Sequence, residues 1–216
     1  MTKAKPTRSP AVRKRIPLTR ERIEIEALAL IDEEGIDAFS TRKLGARLEC
    51  EAMSIYHYFP SKAHILDALV DRVLGSMPIP DKNLSPAQRL RAFVHSWRVF
   101  ALRHPRFYQW ITLHRGNSAT GIRFLNEILT CFYDAGLPPE QATRGFLILG
   151  YYMTGALLDE SSGYANGPSS LSPLPDEVLE RDYPQLALVG RMATAEHFGE
   201  VFERGFAALL REFKLE

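Results

Sequence analysis

From Pro17 onward the apolar positions recur at helical spacing, and the pattern predicts an all-α fold. Ile23, Ala27, Leu30 and Ile31 follow Thr19, a residue suited to cap a helix, and Gly35 ends that segment. After the short loop "IDAF", Ser40 or Thr41 caps a brief helix with Leu44 and Leu48 on one face. "ECE" turns the chain, and "AMSIYHYF" predicts a third short helix closed by Pro60. Ser61 caps a fourth, from Lys62 to about Leu74, with Ile65, Leu66, Leu69 and Val73 as its apolar stripe.

Between Ser76 and Ser85 the chain turns to Pro, Asp, Lys and Asn, which marks a boundary between a small N-terminal unit and a larger one. The larger unit predicts helices at about 86–103, 105–114, 118–135, 139–160 and 194–213, with Gly136, Pro138 and Pro139 punctuating the third and fourth. "SSGYANGPSSLSPLPDEVLERDYP" is too rich in Ser, Gly and Pro, and too long, for a plain connector. At most one short helix is expected in it, around Asp176 to Arg181. No internal repeat is visible.

Composition narrows the class. With 216 residues, 45% of them hydrophobic, the chain can bury a core without staples. Two cysteines, Cys50 and Cys131, make no disulfide framework, so a reducing cytoplasm is the expected compartment. No apolar run reaches the ~18 residues of a membrane span. Net charge is only +1, but every charged side chain among the first twenty residues is basic, and prolines interrupt the stretch. That reads as a flexible basic arm suited to phosphates.

Two short helices joined by a three-residue turn, with a third helix ahead, have the geometry of a helix-turn-helix reader of DNA. Its second helix must pack inward and meet the major groove outward. Ile55 and Phe59, at i and i+4, fit the inward stripe, while Met53, Ser54, Tyr56 and His57 point elsewhere. Rings with polar tips suit the outward task, filling space beside sugars while the tip reaches a phosphate or base edge.

"FSTRKLGARLECEAMSIYHYFPSKAHILDAL" resembles the DNA-binding signature of the TetR/AcrR family of transcriptional regulators, with Tyr56, Phe59, Ser61, Lys62 and Leu66 in register over residues 18 to 74. The resemblance implies a basic arm at 1–17, a reader at 18–76 and a helical ligand-binding and dimerisation domain at 77–216. By the same resemblance Arg42 reaches the groove edge, Thr41 and Lys62 bind phosphates, and Ala52, Met53 and Ser54 lie where the family reads bases. Tyr56 and Tyr58 contact sugar and phosphate, and His57 is a solvent-facing neighbour or a further contact. Two positions depart from the pattern. Glu49 stands where the family's turn has glycine, and Glu51 opens the recognition helix, although a carboxylate repels phosphate.

"DAGLPPEQATRGFLILGYYMTGALLDE" and "HFGEVFERGFAALL" resemble the regulatory helices of the tetracycline-repressor branch, where they form a four-helix dimer interface. Phe146, Leu149, Met153 and Ala156, with Phe198, Phe202, Phe206 and Leu209, give two apolar faces of suitable period. An intramolecular core accounts for the same stripes equally well. The central helices carry many rings with polar tips, which is what the wall of a site for a small, largely apolar effector needs. Phe93, Trp97, Tyr108, Trp110, Ile111, Tyr152 and Asp159 are the candidate lining. A metal-chelated tetracycline is not expected, since Pro78 and Ile111 align with that repressor's drug-contacting and metal-binding histidines. No metal or cofactor is inferred.

No G-x-S-x-G, H-E-x-x-H, P-loop or glycine-rich nucleotide fingerprint occurs, so the chain is not expected to be an enzyme. The expected partners are a double-stranded DNA operator, a small-molecule effector and a second copy of the chain, with no membrane. Repression relieved by an effector is the behaviour that the resemblance implies. The alternative is a protein-docking module built on a helix-turn-helix fold.

Overall fold

A computed structural model describes residues 16–162 and 174–215, and every regular element among them is a helix. Most of the basic arm, and half of the Ser/Gly/Pro-rich segment, lie outside the described residues.

The first unit comprises α1 (Arg20–Glu34), α2 (Thr41–Leu48), α3 (Ala52–Tyr56) and α4 (Lys62–Ser76). Three of these helices begin where the sequence places a hydroxyl. Thr19, Ser40 and Ser61 accept from the backbone amides of Arg22, Lys43 and His64 at 3.1, 3.3 and 3.4 Å, occupying donors that lack an intrahelical partner. The predicted stripes then meet in one core, where Ile23, Ile31, Leu44, Ile55, Phe59 and Ile65 are all fully buried. α3 is shorter than expected, ending at Tyr56 with His57 and Tyr58 in a turn. Pro60 disfavours helical geometry at Phe59, whose amide still closes back on the Ile55 carbonyl at 3.0 Å.

α5 (Pro86–Arg103) opens the second unit with a reciprocal cap. Ser85 Oγ accepts from the Gln88 amide at 3.2 Å while the Gln88 side chain accepts from the Ser85 amide at 2.9 Å. Pro105 forces a break after His104 and starts α6 (Pro105–His114). α7 (Ala119–Asp134) and α8 (Pro139–Ser162) complete a layer in which α5 packs against α6, α7 and α8. α11 (Ala195–Glu212) lies along α8. The two units are not separate globules: α4 packs on α7, α1 packs on α6, and one continuous core runs through both.

The Ser/Gly/Pro-rich stretch holds more helix than expected. α9 (Asp176–Asp182) falls close to the predicted place, but α10 (Pro184–Met192) lies where the sequence reads as loop. Pro184, pre-set for a first helical turn, starts it. These two helices pack on each other, with Arg191 and Glu180 paired at 2.9 Å, and neither buries a residue.

Candidate nucleic-acid interface and ligand cavity

On the outer side of α2 and α3, Arg42, Met53, Tyr56, His57 and Tyr58 are exposed, while Thr41, Ala52, Ser54 and Lys62 are half-buried. Met53, 68% exposed, gains nothing from water and is available to an apolar contact. The turn that sets the angle between the helices is left-handed at Glu49, with φ 56° and ψ 40°. The expected glycine conformation is thus adopted by a glutamate. Thr41 Oγ1 and the Tyr56 hydroxyl lie 3.0 Å apart, so the two share a hydrogen bond across the helix pair.

Two expected phosphate ligands are occupied within the chain. Lys62 Nζ donates to the Ile36 and Phe39 carbonyls at 3.1 and 2.9 Å, leaving one of its three N–H groups. It therefore ties the start of α4 to the loop before α2. The Tyr58 hydroxyl donates to the Leu18 carbonyl at 2.7 Å and holds the entry to α1.

Electrostatics single out Arg42 among the cations of α2. Lys43 pairs with Glu34 at 2.5 Å, and Arg47 pairs with Glu26 and Glu33, each at 2.6 Å. The hydrogen bond from Arg47 holds the Glu33 carboxyl below its ordinary range, and the same pairing raises the Arg47 guanidinium. Arg42 makes no ion pair among the described residues.

In the second unit, α5, α6, α7 and α8 border a cavity of about 400 Å³ that opens to solvent beside the exposed Leu113, Leu147 and Tyr151. Of the seven expected ligand residues, Phe93 and Trp97 line it. The other five do not. Tyr108 is fully buried beside it, its hydroxyl donating to the Met153 carbonyl at 3.0 Å and pushed up to about 12 by burial. Trp110 stacks on His114 with ring centroids 3.7 Å apart, and Ile111 lies in the core. Tyr152 donates to the Phe202 carbonyl, and Gly205 allows that approach, since a Cβ there would stand 2.5 Å from the Tyr152 hydroxyl. Asp159 is exposed, whereas its neighbour Glu160 turns inward to Arg98. The lining that the sequence reading missed includes Thr112, Arg115, Phe124, Ile128 and Thr154. Phe124 and Ile128 stand four apart on α7, a spacing that places them on one face without telling a core from a cavity wall.

The expected interface stripes are largely spent inside the chain. Leu149, Met153, Phe202 and Phe206 are buried between α8 and its neighbours, and Phe146, Ala156, Phe198 and Leu209 are half-buried. What α8 presents outward is a different stripe, with Leu147 and Tyr151 exposed and nothing within 4 Å of the Cβ positions of Gly150 and Gly155. On α11 the exposed apolar residue is Val201.

Comparison with known proteins adds three kinds of likeness. Residues 26–69 match the family model for bacterial regulatory proteins of the tetR family, and residues 79–212 match that for the tetracyclin repressor-like C-terminal domain. The tetracycline repressor protein class A from transposon 1721 of Escherichia coli is 27% identical over 152 residues, covering 63% of this chain and 64% of that protein. The chain thus aligns with less than two thirds of that relative's length. Among solved structures, a possible TetR family transcriptional regulator from Streptomyces coelicolor A3(2) superposes with a TM-score of 0.73 at 22% identity, covering 91% of this chain and 98% of that one. The Streptomyces coelicolor TetR family protein ActR, in complex with actinorhodin, superposes with a TM-score of 0.68 at 25% identity, covering 92% and 97%.

Proposed function

Because the chain belongs to the tetR family of bacterial regulatory proteins, we propose that it is a ligand-responsive transcriptional regulator, a repressor that binds an inverted-repeat operator as a homodimer. Residues 18–76 serve as the reader and 77–216 as the sensor. The observation that carries this reading is the exposed surface shared by α2 and α3. Arg42, Met53, Tyr56 and His57 face outward together from a short helix pair, its first helix capped by Ser40, of the right size for a major groove. Arg42 is its free cation and reads or steers toward a guanine, Met53 meets a thymine methyl, and the Tyr56 hydroxyl exchanges Thr41 for a phosphate or sugar.

One such helix discriminates weakly, so a second copy related by a twofold axis supplies the other half-site. The outward stripe of α8, with Leu147, Tyr151 and its two open glycines, supports a helix-to-helix contact between copies at the mouth of the cavity, which Leu147, Gly150 and Tyr151 also line. The 400 Å³ cavity is of a size for a small effector. The bound actinorhodin of ActR supports the same use of the fold. An effector that prefers one arrangement of the dimer changes the separation of the two α3 helices and releases the operator.

Selection from a random duplex pool tests this reading, with the wild type beside an Arg42→Ala, Tyr56→Ala double variant. The wild type should enrich an inverted repeat with half-sites about one helical turn apart, and the variant should not. Affinity should fall steeply with salt, with a log–log slope of roughly −0.9 per phosphate contact. A pool left unenriched at low salt by the effector-free wild type would favour a protein-docking role instead.

A further inference from the structure

Several arginines of this fold have carboxylates beside them: Arg47 has Glu26 and Glu33, Arg89 has Asp134, and Arg98 has Glu160. Arg115 differs from these. It caps the C-terminal end of α6, its amide donating to the Ile111 carbonyl at 2.8 Å, and its side chain lines the cavity. It forms no ion pair among the described residues, and no carboxylate is among the residues that line the cavity.

The carbonyl end of α6 favours a cation at this position. That attraction accounts for the charge near the helix terminus but not for its place in a largely apolar wall that includes Phe93, Trp97, Phe124 and Phe146, with Thr112 and Thr154 as neutral polar members. Burial lowers the Arg115 guanidinium from its ordinary range, so the chain itself leaves the charge incompletely compensated. The backbone that carries Arg115 is closely packed. Gly121 packs so closely that a Cβ there would stand 1.7 Å from the Arg115 carbonyl oxygen, which only glycine permits.

A lone guanidinium set into an aromatic wall is complementary to one class of molecule. We propose that the effector is an aromatic acid, with a flat multi-ring body lying among Phe93, Trp97, Phe124 and Phe146 and a carboxylate paired with Arg115. A carboxylate accepts two parallel N–H bonds from the planar guanidinium and replaces the missing counter-charge. The stacked pair of Trp97 and Phe124, with ring centroids 5.8 Å apart, lies beside the ring-binding part and makes Trp97 the natural reporter. This assignment rests on the cavity being the effector site, as proposed above.

The test compares 2-naphthoate, anthracene-9-carboxylate and pyrene-1-carboxylate with their neutral carboxamides. Each is titrated into the full chain and followed by tryptophan quenching and equilibrium dialysis. At least one acid should bind roughly 10- to 100-fold more tightly than its amide. Arg115→Gln should bring that acid to the level of its amide in the same variant, and Arg115→Lys should keep part of the preference. Equal binding of acid and amide in the wild type, or no binding by any of the three acids, overturns the proposal. The wild-type comparison needs no variant, so a misfolded Arg115→Gln, seen by circular dichroism, leaves the decision intact. Duplex selection on the same preparation separates the two readings. A wild type that selects an operator but shows no acid preference keeps the regulator and loses the aromatic acid. One that prefers the acid but enriches no duplex keeps the ligand and loses the regulator.

Discussion

Glu49 does two unfavourable things at one position. It holds a left-handed backbone that costs an L-residue roughly 1 kcal/mol, and it carries a carboxylate in the turn between α2 and α3, the helices proposed to face DNA. Glu49→Gly removes both at once. Melts should show a gain of up to about 1 kcal/mol, less what the freer unfolded chain takes back, and duplex affinity at low salt should rise. A variant that is less stable than the wild type would mean that the glutamate makes a compensating contact. The departure at 49 was legible only against the family resemblance, whose turn has glycine there; that the glutamate takes the left-handed backbone shows only in the folded chain. The role of Lys62 was less so. A lysine at a helix start reads as a phosphate ligand, and only the folded position of the Ile36 and Phe39 carbonyls reveals that its ammonium is already engaged.

At the scale of elements, periodicity and punctuation located α1, α2 and α4 to α8, because each has a capping hydroxyl or proline at its start and an apolar stripe behind it. α10 escaped because its apolar residues face no core, so no stripe announces it. The faces of α8 and α11 were ambiguous for a different reason: a period shows which residues share a face, not whether that face meets its own chain or another copy. Arg98 decides part of this. From α5 it reaches Glu160 of α8 at 2.9 Å and lies over the Phe202 ring of α11 at 5.1 Å, clamping three helices. The Glu160 side chain is only 7% exposed, so Glu160→Gln strands a mostly buried guanidinium. The expected loss is about 2 kcal/mol, short of the ~3–5 of a wholly buried pair. Denaturant titration checks it, and a loss below about 0.5 kcal/mol would mark the clamp as no stronger than a surface pair.

For the molecule as a whole, the two units meet where α1 packs on α6 and where α4 packs on α7. Arg106 donates to the Asp32 and Glu33 carbonyls at the end of α1, and His104 Nδ1 lies 2.6 Å from the Asp32 carboxylate. On the function proposed above, these bonds are the route by which a shift of α6 on cavity filling would reach α1. Arg106→Ala should leave effector affinity and duplex affinity, each measured alone, within about threefold of the wild type. It should reduce the factor by which the effector weakens duplex binding, by an amount in the range of typical coupling energies of roughly 1–3 kcal/mol. An unchanged factor would assign the coupling to the contact of α4 with α7.

The pair α9 and α10 has a consequence of its own. Backbone amides in helices that reach into a core exchange with solvent only through rare openings, whereas helices without such an anchor open at almost no free-energy cost. With no residue of α9 or α10 buried, their amides should exchange within the first time points of a deuterium-labelling experiment on dilute protein. If a second copy covers them, protection at 176–192 should climb with protein concentration while that of α1 to α8 stays constant. That pair of helices would then report the association constant of the chain by mass spectrometry, with neither DNA nor effector in the tube.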